Sequence, residues 1–188
     1  MAGGSALAAA PRAFASVRQD LPVGLLPRAI ASLGRHGAAV PNHDLIGIAD
    51  FSRASADPRF HLVDVANGRV AATYLVSHGR GSDPVHTGWL QRFSNQSGSN
   101  ASSRGSYVTG EAYVGKHGRS RQLHGLDADN SAAFERAIVI HGADYVSTAM
   151  VATHGRIGRS QGCFAFSRTD IESVLARLGP GRLLYADR

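Results

Sequence analysis

The chain has 188 residues, 43% apolar and 18% charged, with 22 glycines, the composition of one turn-rich globular domain and not of a disordered tail or a coiled coil. No run approaches the roughly 18–20 uninterrupted apolar residues of a membrane helix, so no transmembrane segment is expected. The net charge of +6 comes from arginines scattered along the chain, with Lys116 the lone lysine; the lack of a basic stripe weakens a nucleic-acid reading and fits an acidic polymer equally well.

Residues 1–20 form a small-residue apolar run closing on Ala13-Phe14-Ala15, the A-x-A form of a signal-peptidase site. They read as an export-signal remnant or, because no basic segment precedes Ala2, as a disordered alanine-rich tail. A single domain over residues 21–188 follows. Leu26, Ala29, Ile30 and Leu33 stand at helical spacing and predict a packing helix over 22–36, ending at Gly34 or Gly37. Three strands are then expected, Leu45–Phe51, Arg59–Val65 and Arg69–Ser77, the last two joined by a hairpin at Asn67-Gly68. Residues 78–106, rich in Gly, Ser and Asn, have neither periodicity and predict a functional or disordered loop. Further strands are expected at Ser106–Gly115, Ala137–His141 and Cys163–Phe166, with a helical turn near Asp127–Ser131. Ser167 and Asp170 have capping-box spacing ahead of an apolar face of Ile171, Val174, Leu175 and Leu178, stopped by Gly179-Pro180. Arg182–Ala186 closes the chain as a strand. The pattern is mainly β with peripheral helices.

The single cysteine, Cys163, excludes an internal disulfide and any multi-cysteine metal site, so its thiol is either inert or chemical. Ile138-Val139-Ile140-His141-Gly142 ends a buried-looking strand in an imidazole, and Arg159-Ser160-Gln161-Gly162-Cys163 places the thiol after a glycine that allows close backbone approach. A thiol nucleophile needs a base and a frame of N–H groups for the oxyanion; a thiolate–imidazolium pair beside Cys163 supplies the first, and the N–H of Cys163 is a candidate for the second. Of nine histidines, those at 36, 78, 117, 124, 141 and 154 precede glycine, and His154 is the rival base. No H-E-x-x-H or H-x-H pair suggests a metal. Asp144 and Tyr145, and Arg80, Arg92 and Arg104 in the Gly/Ser-rich segment, are weaker candidates for the site.

His141-Gly142, then Gly158-Arg159-Ser160-Gln161-Gly162-Cys163, together with Ser103-Arg104-Gly105-Ser106-Tyr107-Val108, resemble the murein L,D-transpeptidase catalytic domain family of the YkuD-like superfamily. The resemblance implies a β-sandwich-like fold, Cys163 as nucleophile, and His141 as base in preference to His154, oriented through the Gly142 carbonyl. It implies peptidoglycan stem peptides as substrate, no cofactor, and an exported protein of the periplasm or cell envelope that forms L,D cross-links through a thioester or trims stems with water. Thiol endopeptidase or amidase activity, and a non-catalytic peptidoglycan-binding module, are the alternatives. Two departures stand out. Familiar members carry Arg two residues after the cysteine where this chain has Ala165, leaving Arg156 and Arg159 as substitutes by proximity. The interval from His141 to Cys163 is also long, implying an enlarged loop over 143–158.

Overall fold

The computed structural model describes residues 24–188; the reading of residues 1–20 as a signal remnant lies outside them. Helix α1, Leu25–Arg35, buries Leu25, Leu26, Ala29 and Leu33 on one face. That face packs on Val40, Ile46, Ile48, Val63, Leu183 and Tyr185, and Arg28 ties the helix to Asp187 at 2.7 Å. The helix expected near 22–36 is therefore present, one side of it covering the outer face of the sheet.

Among the described residues, eight strands form one mixed sheet: β1 Asn42–Asp50, β2 Phe60–Asp64, β3 Arg69–Tyr74, β4 Gly105–Gly115, β5 Gly118–Gly125, β6 Val139–Gly142, β7 Phe164–Phe166 and β8 Arg182–Asp187, in the order β3-β2-β1-β8-β4-β5-β6-β7. The last strand lies at the centre, parallel to β1 and antiparallel to β4. The β2–β3 hairpin forms with Gly68 at φ +59°. Asn67 takes a different part from the one expected: its N–H and Nδ2 donate to the Asp64 carboxylate at 3.0 and 2.7 Å, an Asx contact that tightens the turn.

The sheet folds over on itself. Phe60 of β2 meets Phe166 of β7 edge to face at 4.8 Å, although these strands lie near opposite ends of the order. Beyond β3 the chain runs along β7: the Ser77 N–H donates to Ala165 O at 2.9 Å, and Ser160 N–H to His78 O at 3.0 Å. Phe51, Phe60, Tyr107, Phe164 and Phe166 fill the enclosed core, each aromatic contributing on the order of 2–3 kcal/mol through burial. Helix α3, Ile171–Arg177, adds Ile171, Val174 and Leu175 to that core. Ahead of it, Ser167 Oγ accepts from the Asp170 N–H at 3.0 Å and donates to the Asp170 carboxylate at 2.6 Å. The mainly β architecture with peripheral helices is thus present.

Two elements escape the sequence pattern. Strand β5 has Leu123 as its single large apolar buried residue; it is held instead by Arg121, whose guanidinium donates to Gly110 O at 2.8 Å and Leu175 O at 3.0 Å. Helix α2, Thr148–His154, buries none of its residues and rests on a Ser147 cap, whose Oγ accepts from the Met150 N–H.

The irregular segment over 78–104 is closely bonded. Asp83, fully buried, accepts from the N–H groups of Thr87 and Gly88, both at 2.8 Å. Arg59, also fully buried, donates to Val76 O and to His78 Nδ1, the latter at 2.7 Å. That fixes His78 with its hydrogen on Nε2, facing Asp83 at 3.4 Å.

Candidate active site

Strands β6 and β7 are parallel neighbours with His141 opposite Ala165, so the residue two before Ala165, Cys163, shares the face that His141 and Val139 present. Gly162 sits at φ +112°, and a Cβ there would stand 2.7 Å from Ala101 O and 2.8 Å from Ile138 Cδ1, so the turn requires glycine. The Gly162 N–H donates to Ser160 Oγ at 3.1 Å, and that hydroxyl donates to Cys163 O at 2.7 Å. Cys163 Sγ, half-buried, faces the carbonyl of Ala137 at 3.5 Å.

His141 is 2% exposed. Its Nδ1 lies 3.0 Å from Gly142 O; a carbonyl accepts only, so Nδ1 carries the hydrogen and Nε2 keeps its lone pair. The ring stacks on His117 at 4.2 Å between centroids, with the planes 20° apart. His117 belongs to the tight turn between β4 and β5, a position that its Gly-flanked sequence Gly115-Lys116-His117-Gly118 could have signalled as a hairpin tip.

Burial pushes His141 down to about 4, with the neighbouring His117, Arg168 and Lys116 acting in the same direction and the Gly142 carbonyl opposing. Burial pushes the Cys163 thiol up, against the Val139 N–H, Lys116 and Arg136. Both groups are therefore neutral near pH 7. Both shifts run against the thiolate–imidazolium pair expected from sequence, because both partners lose hydration in the fold and the nearby charges offset only part of that loss.

His78, 1% exposed, is pushed down to about 3 by burial and by Arg59. In the unfolded chain both imidazoles titrate near 6.5. Above that pH neither costs stability; as pH falls below it, the unfolded chain binds protons that the folded one refuses. Stability should drop by about 2 kcal/mol per imidazole between roughly pH 6.5 and 5, before the unfolded carboxylates titrate. Urea unfolding at the two pH values measures this, and a level stability would overturn the buried neutral state.

Cys163, His141 and His117 line one cavity of about 480 Å³, together with Tyr145, Lys116 and Arg136. Of the residues singled out from sequence, Arg159, Ser160 and Gln161 also line it, while Gly162 is buried and absent from the lining. Arg159 reaches across to the carbonyls of Asp83 and Pro84. Arg156 lies outside the lining, its Nη1 donating to His154 O at 3.3 Å. His154 is exposed at the end of α2, and Asp144 pairs with Arg168 at 3.1 Å on the surface. Arg80, Arg92 and Arg104 are likewise absent from the lining. Tyr113, Lys116, His117, Glu135 and Arg136 are the charged and aromatic lining groups that sequence reasoning did not place in the site. Among the described residues, no group of three or more His, Cys, Asp or Glu is arranged to hold a metal ion.

A family model described as L,D-transpeptidase catalytic domain matches residues 19–186. Solved structures with similarity include an L,D-transpeptidase from Mycobacterium smegmatis, at 12% identity, covering 77% of this chain and 59% of that one with a TM-score of 0.47. An L,D-transpeptidase from Xylanimonas cellulosilytica is 17% identical over 78% and 61%, with a TM-score of 0.46. L,D-transpeptidase 3 from Mycobacterium tuberculosis, in complex with a faropenem-derived adduct, is 13% identical over 77% and 60%, with a TM-score of 0.48. The chain spans about three fifths of the length of these solved chains. A search of curated protein sequences returns no match.

Proposed function

Because the chain belongs to the L,D-transpeptidase catalytic domain family, we propose that it is a cysteine acyltransferase acting on peptidoglycan stem peptides outside the cytoplasm. The observation that carries this reading is the shared cavity in which Cys163 sits with an imidazole whose Nε2 is left as a base by the Gly142 carbonyl.

In the proposed reaction His141 Nε2 takes the Sγ proton as sulfur bonds to the carbonyl carbon of the third stem residue. The Cys163 N–H faces the developing oxyanion. Collapse breaks the C–N bond, and the Nε2 proton goes to the departing amine of the terminal D-residue. The thioester is then attacked by the amine of a second stem, which gives its proton to Nε2, or by water. The thiolate that leaves recovers that proton, closing the cycle with every charge balanced. The first acceptor gives a cross-link and the second gives trimming.

Incubating the protein with purified muropeptides and separating the products by chromatography with mass detection tests this. The expected products are cross-linked dimers joined through the third residue of the donor, or tripeptide stems shortened by one residue. Muropeptides recovered unchanged, with no mass gained by the protein on exposure to a carbapenem, would overturn the assignment.

A further inference from the structure

Arg136 stands in the turn that leads into β6, half-buried, with both terminal nitrogens engaged. Nη1 donates to Ser94 O at 2.9 Å and Ser103 Oγ at 2.6 Å, and Nη2 to Ala101 O at 2.6 Å and Ser99 Oγ at 3.3 Å. All four acceptors lie in the segment 94–103, which supplies Ser97, Gly98 and Asn100 to the wall of the cavity. On its other side the guanidinium abuts the nucleophile turn: a Cβ on Gly162 would stand 3.3 Å from Arg136 Nη2, beside the same Ala101 carbonyl that Arg136 binds. The next residue, Ala137, is held at φ +54°, and its carbonyl is the one that Cys163 Sγ faces. One side chain thus joins the cavity wall, the Gly162–Cys163 turn and the approach to β6. Two residues beyond the thiol, where familiar members carry arginine, Ala165 is fully buried and packs with Leu75, Ala143, Val146 and Ile157.

We propose that Arg136 is the positioning residue of the nucleophile, its forked guanidinium pinning segment 94–103 against the Gly162–Cys163 turn while its fixed positive charge faces the sulfur. The inference rests on the reading of Cys163 as nucleophile. The geometry suits arginine and not lysine, since four acceptors spread over one loop need two arms in a plane. Its charge acts against the burial that holds the thiol neutral. Lys116 acts in the same sense from an exposed hairpin tip, where solvent and salt screen it more. The other titratable groups on the cavity wall are Tyr113, His117, Glu135, His141, Tyr145 and Arg159; all of them are common to wild type and to both Arg136 variants.

Two measurements on Arg136→Gln and Arg136→Lys, each checked for folding by thermal melting, decide the matter. The first is the pH dependence of iodoacetamide alkylation of the single thiol, which reads the ionisation of Cys163 whether or not the protein is a transpeptidase. The second is the rate of acylation by a carbapenem. Arg136→Gln is expected to raise the alkylation midpoint by about one pH unit, the order expected for loss of a nearby cation. Arg136→Lys should leave that midpoint near wild type yet acylate about tenfold more slowly, because one ammonium cannot hold four acceptors of segment 94–103 in place beside the Gly162–Cys163 turn. An unmoved midpoint in the glutamine variant, or wild-type acylation in the lysine variant, overturns the proposal; either variant alone suffices if the other does not fold. Should wild type never acylate while the alkylation midpoint still shifts, the acyltransferase reading fails and the electrostatic role of Arg136 stands.

Discussion

Cys163→Ala is expected to lose all covalent turnover, at least about 10⁴-fold in muropeptide conversion, while melting within a degree or two of wild type. The two halves of this expectation have separate causes. Catalytically, the proposed reaction makes the thiol the group that carries the acyl chain between donor and acceptor, a part that neither His141 nor the N–H groups of the turn would take over. Structurally, the side chain is small and half-buried, and its hydrogen bond to Ala137 O, at 3.5 Å, is long; truncation to a methyl group costs less than about 1 kcal/mol. Intact mass after exposure to a carbapenem gives the sharpest readout: an adduct on wild type, none on the variant. Equal masses on both would remove the nucleophile from Cys163.

The second large effect belongs to His141. Replacement by glutamine, which keeps an amide near the Gly142 carbonyl but offers no titratable nitrogen, should lower turnover by about 10²–10⁴-fold. The pH profile separates a lost base from a disturbed fold. With the imidazole held down to about 4, wild-type activity is expected to rise through that pH and stay level across neutrality, since the proposed reaction starts from neutral imidazole and neutral thiol. In His141→Gln the acid limb should vanish, and the residual rate should climb steadily through the alkaline range as bulk hydroxide ionises the thiol that burial holds high. A variant that keeps the wild-type acid limb would show that another group, with His154 the first candidate, supplies the base.

These two residues were legible in the sequence because each sits at a marked position: His141 after three β-branched residues, Cys163 after a glycine in a recognisable run. The strands around them were legible for the same reason, since local alternation and turn residues carry that information. Strand β5 was not, because its burial is carried by an arginine whose hydrogen-bond partners, Gly110 and Leu175, lie on β4 and α3. Nor was Arg136, whose partners are about 33 to 42 positions away; on sequence it resembles any arginine on a polar stretch. His117 entered the site only because the β4–β5 hairpin brings its tip over β6. The pKa shifts of Cys163 and His141, which run against an ion pair, are not readable from sequence for a related reason. Residue type and spacing suggest an ion pair, but hydration is lost through packing that only the folded chain defines.

The path of the chain beside β7 limits how an extended peptide can approach the sulfur. Enzymes that capture peptides often let them lengthen a sheet, pairing main chain to main chain at a free edge. Here the outward N–H and C=O of Ala165 are already taken by the hydroxyl and N–H of Ser77, so that border is sealed from within. On the proposed reading, a stem peptide therefore does not lengthen the sheet at Ala165 and is expected to reach the sulfur through the mouth of the cavity.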